Sequence, residues 1–382
     1  MRICIDARNL ISLERMGGTG EYLQNLLINL AKIDAENEYI LFLNYIRNRH
    51  HATVKNYVGK NFHEKVCRIP WQFVRSLFEQ VHLPIELLVG RVDIFHGTDF
   101  MIPRQISGRS LVTIHDLMYL NYPEFLEPEW VKSYKRDVKW SLKRADLIVV
   151  ESNFVKDDIF KNFNIPKNKV RVIYNGIGGH FRVRKDLPKE HIMKKYNIKY
   201  PYILFVGTLE PKKNLVRLVE AFSQLLRSQT RKFNLVLAGS KGCLNYREKI
   251  EQKIKDLNLE KEVILTGYIQ DEDLPKLYAS AELFVFPSIF EGFGIPPLEA
   301  MASGLPVIAS NAASLPEVVG DAGILVNPFS TEAIAKAISS CLSDDKLTKI
   351  LIHKGLKRAK LFSWEVTARQ TLALYKELAE RK

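Results

Sequence analysis

YILFVGTLEPKKNLVRLVEAFSQLLRSQTRKFNLVLAG, residues 202–239, holds two short apolar runs (202–208 and 233–239) around an amphipathic stretch (214–228). A strand, a helix and a second strand in that order make a parallel βα unit, with strands covered on both faces. The pattern continues downstream in EVILTGY (262–268), ELFVFPS (282–288), LPVIAS (305–310) and GILVNP (323–328), with helices predicted over 246–257, 273–280, 296–303 and 331–342. Upstream it is already present in RICIDAR (2–8), YILFLN (39–44), VDIFHG (92–97), SLVTIHDL (110–117), DLIVVES (146–152) and VRVIYNG (170–176). The first long helix is predicted over 20–33, where Tyr22, Leu23, Leu26, Leu27, Leu30 and Ala31 keep a period near 3.6.

The two series are separated by 177–201, rich in Gly, Pro and Lys as an interdomain hinge would be. The expected fold class is therefore α/β, with two Rossmann-like parallel-sheet domains facing a cleft, over residues 1–185 and 186–363. Ligands of such sheets sit beyond the carboxyl ends of the strands, so the cleft is the expected site.

Composition bounds the function. The 382 residues are 46% hydrophobic and 26% charged, a balance that excludes a disordered chain. No apolar run reaches the ~18–20 residues of a membrane span, and MRICIDARN enters a strand without a signal-peptide core. A cytoplasmic location is expected. Cys4, Cys67, Cys243 and Cys341 are scattered without metal-ligand spacing, as reduced thiols are. Of the net charge of +13, most lies early: residues 1–200 carry 32 Lys+Arg against 22 Asp+Glu, the remainder 24 against 21. Such a field suits an anionic membrane face or an acidic substrate, and equally a lysine-rich composition with no partner. Nucleic acid is not expected, since no helix-turn-helix, RNP or zinc-finger pattern occurs.

Four segments could carry chemistry. In FPSIFEGFGIPPLEAMASGLPVIAS (286–310), Gly292 and Gly294 let the backbone approach a ligand, and Pro296-Pro297 suit a helix start. Amides near Phe293, Gly294 and Ile295 could then hold a phosphate. Glu291 before the helix and Glu299 within it would accept from sugar and ribose hydroxyls. In GTLEPKKN (207–214), Lys212 and Lys213 stand where a diphosphate would meet a helix, with Asn214 as the expected cap. TIHDL (113–117) delivers His115 and Asp116 at a strand's carboxyl end, and HGTDF (96–100) does the same for His96 and Asp99. A lone strand histidine is more often structural. MGGTGEY (16–22) supplies Gly17, Gly18 and Gly20 before the first helix, but Leu23 stands where a dinucleotide fingerprint needs its third glycine.

In this order, the segments resemble the retaining glycosyltransferases of the GT-B fold that carry an E-x7-E motif, here EGFGIPPLE (291–299). GGTGEY, TIHDL, GTLEPKKN and SWEVTARQTLALY (363–375) support the resemblance, which spans nearly the whole chain, and HDLMYLNYPEF (115–125) looks most like the mannosyltransferase branch acting on O-chains. It implies that His115 reaches the donor sugar near O6 and Glu291 binds its O3 and O4 side. Glu299 would hold the ribose, and Lys213 with the backbone at Gly294 and Ile295 the diphosphate. Ile269 would border the base, with Asp271 a candidate for purine recognition. Thr208 stands where relatives often have Arg, which leaves more of the leaving-group charge to Lys213 and Lys212. The final helix, 364–382, would cross back to the first domain.

The resemblance further implies transfer with retention; no DxD motif stands near a strand end in a metal-site context, so no metal or other cofactor is expected. GDP-mannose is the favoured donor, with a UDP-sugar as the other option. The acceptor is a saccharide or lipid-linked saccharide in cell-surface polysaccharide synthesis. Helix 129–146, with its lysines and arginines beside Trp130 and Trp140, and the aromatic run 71–88 are candidates for acceptor or anionic-membrane contact, as for a peripheral protein; plain surface and core readings fit them equally. Three rivals stay open. A non-hydrolysing nucleotide-sugar epimerase would epimerise donor without acceptor, a nicotinamide dehydrogenase would bind NADH, and a non-enzymatic membrane-surface protein would bind vesicles but no nucleotide sugar.

Overall fold

A computed structural model describes residues 1–10, 17–46, 58–183, 189–228 and 231–381. They form two compact units. The first comprises Met1–Leu120, Glu129–Gly176 and Ser363–Lys382, and the second Asn121–Pro128 with Ile177–Phe362. Residues Ile177–Val183 thus count with the second unit, where the sequence reading put them with the first; the boundary it drew at 185/186 lies outside the described residues.

The first unit holds a seven-stranded sheet of β1 (Arg2–Asp6), β2 (Glu38–Asn44), β3 (Phe62–Cys67), β4 (Ile94–Gly97), β5 (Arg109–Ile114), β6 (Leu147–Val150) and β7 (Val170–Val172). Its order is β3-β2-β1-β4-β5-β6-β7, with every pairing parallel. The second holds six strands, β8 (Tyr202–Val206), β9 (Asn234–Ala238), β10 (Val263–Gly267), β11 (Leu283–Phe286), β12 (Val307–Ser310) and β13 (Ile324–Val326), again all parallel, in the order β10-β9-β8-β11-β12-β13.

Central strands carry apolar runs because helices cover both faces. Ile3 to Ile5, Ile203 to Phe205 and Leu283 to Phe286 are fully buried, each large side chain contributing about 1.5–3 kcal/mol of transfer free energy. Both sheets reverse their winding beside their first strand, β1 against β4 and β8 against β11. In open parallel sheets such a reversal is where a crevice opens at the carboxyl edge.

The final helix, Trp364–Glu380, belongs to the first unit. Its Trp364 ring lies 6.2 Å from Tyr22, and the Tyr375 hydroxyl is 2.7 Å from Nδ1 of His96. Gly176 makes that docking possible, since a Cβ there would lie 1.9 Å from the Trp364 amide nitrogen. Among the described residues, no helix is long and apolar enough to cross a membrane.

Candidate active site

In the second unit, the loop after β8 and the loop after β11 leave adjacent strands at the winding reversal. Lys213 closes the short 3-10 turn Pro211–Lys213, and its side chain is buried. The Lys213 ammonium donates to Oε1 of Glu291 at 2.5 Å and sits 4.9 Å from the centre of the Phe286 ring. The Ser288 hydroxyl donates to the same carboxylate oxygen at 2.6 Å, and Lys212 Nζ stands 3.9 Å from the other. Backbone bonds fix the two loops together, with the Ile289 amide donating to the Lys212 carbonyl at 2.7 Å. Burial pushes the Glu291 carboxyl up, but Lys213, then Lys212 and Ser288, outweigh it and hold it below the ordinary carboxylate range.

Helix Ile295–Ala302 starts with Pro296 and Pro297 in its first turn, as expected. Gly294 precedes it at φ 103°, a left-handed conformation that favours glycine. The Ser314 hydroxyl is placed to donate to the carbonyls of Glu291 and Phe293, at 2.9 and 2.7 Å, and so fixes the glycine turn. Pro296 and Pro297 carry no N–H, so the amides this helix start can offer an anion are those of Gly294 and Ile295, aided by the helix dipole. Phe293 and Ile295 are buried, the Phe293 ring edge-on to Phe362.

Glu299 is buried one helix turn further and accepts from the Tyr278 hydroxyl at 2.8 Å. Ile269 is buried beyond β10, while Asp271 accepts from the exposed Tyr268 hydroxyl at 2.9 Å. Thr208 is half-buried at the end of β8. Asn214 directly precedes the helix that starts at Leu215, and its carbonyl accepts from the Leu218 amide at 3.2 Å, as a capping residue's does. Its φ is 61°, its side-chain amide donates to the carbonyls of Pro287 and Pro328, at 3.1 and 2.6 Å, and its Oδ1 accepts from Arg217 at 2.7 Å. It works as a buried strut under the lysine loop.

His115 lies in the first unit, at the end of β5. Its Nδ1 is 2.6 Å from Oε1 of Glu151, and its Nε2 is 2.8 Å from the Thr98 carbonyl oxygen. Both partners can only accept, so the ring carries a proton on each nitrogen. Burial pushes the imidazole down, but the Glu151 charge and hydrogen bond, with Asp99 and Thr98, raise it to about 9. Sequence reasoning missed Glu151. The signal was its place in DLIVVES: Ile114 pairs with Val150, so the next residues of β5 and β6, His115 and Glu151, meet at the sheet edge. His96 is a core histidine, bonded by Tyr375 and by the Thr113 hydroxyl at 2.9 Å and pushed down to about 3 by burial and the charge of His115. Gly18 opens helix Gly18–Ile33, and a Cβ there would meet nothing within 4 Å, so packing does not demand glycine.

The structure therefore brings Lys212, Lys213 and Glu291 into one cluster and binds the Phe293–Gly294 turn to it through Ser314. Among the described residues, no three His, Cys, Asp or Glu side chains converge as metal ligands would.

Two parallel sheets of this topology, with a buried lysine and a glycine-opened helix at the second switch point, define the GT-B glycosyltransferases. The chain belongs to that family: residues 188–358 match the glycosyl transferases group 1 model and residues 16–178 the glycosyltransferase family 4 model. It is 37% identical to the O-antigen chain mannosyltransferase B of Escherichia coli over 75% of this chain and 74% of that one. Sucrose-phosphate synthase from Thermosynechococcus elongatus has the same fold, with a TM-score of 0.80 over 99% of both chains at 23% identity. So does an Anabaena protein solved in complex with UDP-glucose, with a TM-score of 0.75 over 99% of this chain and 100% of that one at 18% identity.

Proposed function

We propose that the chain transfers mannose from GDP-mannose, with retention at the anomeric carbon, to a saccharide or lipid-linked saccharide acceptor in cell-surface polysaccharide synthesis. The observation that carries this reading is the buried Lys213–Glu291 pair at the winding reversal of the second sheet. A buried cation beside a helix start suits the charge that develops on a departing diphosphate. The similarity to an O-antigen mannosyltransferase supports the choice of sugar and acceptor.

In the proposed step, the bond between C1 of the sugar and the β-phosphate oxygen breaks, and the nucleoside diphosphate leaves with the electron pair. The acceptor hydroxyl bonds to C1 from the same face, and its proton passes to the departing phosphate oxygen. Lys213, aided by Lys212, the Thr208 hydroxyl and the amides at Gly294 and Ile295, balances the new charge. Glu291, shared between lysine and sugar, accepts from the sugar hydroxyls, and Glu299 accepts from the ribose. Ile269 borders the base, with Asp271 near its edge, and Gly18 leaves room for the substrate at the start of the first helix. With acceptors on both ring nitrogens and a raised affinity for its proton, His115 suits a donor and fixed charge better than a general base, turning Nε2–H from the Thr98 carbonyl to a sugar oxygen. Lysines and amides here supply what a divalent cation supplies in other transferases, and transfer is expected to persist in EDTA. A peripheral position on the cytoplasmic face of a membrane would bring the enzyme to a lipid-linked acceptor.

The test is a panel of labelled GDP- and UDP-sugars, followed by proton NMR of the product's anomeric centre. An α-mannoside from GDP-mannose is expected. Turnover only of a UDP-sugar would replace the donor, and an inverted anomeric centre would replace the mechanism.

A further inference from the structure

A cavity lies at the carboxyl edge of the first sheet. It has a volume of about 210 Å³ and an aromatic wall of Trp71, Phe100, Trp130 and Tyr134. The cavity sits where that sheet reverses its winding: Arg8 follows β1, Asp99 follows β4, and both line it. Open parallel sheets bind their ligands at this place.

The polar wall is preorganised. The Arg8 guanidinium is bidentate on Asp6, with Nε to Oδ1 at 2.7 Å, and lies 3.6 Å over the Trp71 ring. An Arg75 nitrogen is clamped by both oxygens of Asp137, at 2.8 and 2.7 Å, and by Ser133 at 2.6 Å. Asp99 is half-buried in the lining, and its charge acts on Arg8 and on His115, so the carboxylate stands ionisable between the cavity and the histidine. Trp130 is 47% exposed, whereas Trp140 on the same helix is occupied by His82, Arg144 and the Ile102 carbonyl.

A part-exposed indole in a cavity wall beside a carboxylate and a fixed guanidinium is the chemistry that recognises a sugar ring. The ring's C–H face covers the aromatic, and its hydroxyls meet the charged groups. An acyl chain in the same space would strip water from Asp99 and Arg8 without replacing its hydrogen bonds. Location adds to this. The Phe100 ring lies 5.1 Å from Tyr134 on the cavity wall and 5.8 Å from His115, so one side chain separates the cavity from the histidine assigned to the reacting sugar.

We propose that this cavity binds one hexose of the acceptor saccharide, stacked on Trp130, with Asp99 accepting from neighbouring hydroxyls and Arg8 donating to another. The identity of the ligand as acceptor rests on the glycosyltransferase reading above; the binding of a sugar ring does not.

The experiment uses the full chain and mannotriose, without nucleotide, followed by tryptophan fluorescence, with donor hydrolysis measured separately on GDP-mannose. Saturable binding is expected in the parent protein. Trp130→Ala and Asp99→Asn should each weaken it by roughly tenfold, and Trp130→Phe should restore most of the loss. Mannotriose binding that is absent from the parent, or equal in all variants, overturns the proposal. A Trp130→Ala variant that keeps mannotriose but loses anionic phosphatidylglycerol vesicles also overturns it, and gives the face to a membrane. Failure of the parent to turn over any nucleotide sugar sinks the enzymatic reading alone, because mannotriose binding is read independently.

Discussion

Lys213 and Glu291, 78 residues apart in the chain, meet through a 2.5 Å ion pair with both side chains buried. Removing one member leaves the other uncompensated at low dielectric, which costs about 3–5 kcal/mol. Lys213→Ala and Glu291→Ala should each lower the urea midpoint accordingly and reduce transfer by orders of magnitude. The double variant Lys213→Met with Glu291→Leu should regain stability while staying inactive. A single variant with normal transfer would remove the assignment.

The His115–Glu151 pair sets a pH dependence. The imidazole rises from 6.5 to about 9 on folding, so its stabilisation is complete below pH 6.5 and is lost as pH climbs through 9. Melting temperature should fall across that window in the parent protein, and the fall should be shallower in Glu151→Gln. Identical slopes would show that the pair does not titrate as described. Glu291 acts at the other end. Its lowered value means that stabilisation is present above the ordinary carboxylate range and lost as acid protonates it.

Gly294→Ala should damage the helix start twice over. The residue sits at φ 103°, and the new Cβ would lie 2.6 Å from Cδ2 of Leu315. A cost of about 1–3 kcal/mol is expected, with a weakened affinity for GDP by calorimetry. Normal GDP binding in this variant would place the diphosphate elsewhere.

Tyr375→Phe removes the hydroxyl bonded to buried His96. An unsatisfied ring nitrogen costs about 1–3 kcal/mol, readable in thermal unfolding. No change would mean that the histidine finds another partner.

All six strands of the second unit were legible as apolar runs, because helices on both faces leave no polar alternation to confuse the pattern. In the first unit, β3 was missed. FHEKVC is an edge strand with alternating exposure, so His63, Glu64 and Lys65 dilute its apolar signal. The E-x7-E segment and the lysine loop were readable from their glycines and prolines, yet their ion pairing was not, since it depends on β8 lying beside β11. Glu151 was hidden for the same reason: only register shows that it faces His115. Asn214 was legible as the residue at the helix entry, but not as the buried amide strut its side chain makes with Pro287 and Pro328, which lie far along the chain. The cavity lined by Trp71 and Trp130 joins residues far apart in the chain, and the sequence marked its aromatics without joining them to Arg8 or Asp99.

The helix that carries Trp364 and Tyr375 completes the unit that begins at Met1. During synthesis, Met1–Gly176 must therefore wait for the helix Trp364–Glu380, made after the whole of the second unit, before Tyr22 and His96 are sealed from water. A gene fragment ending near Gly176 would yield a polypeptide with an open apolar seam and a tendency to aggregate, and the missing piece supplied separately as a peptide of residues 363–382 should rescue it.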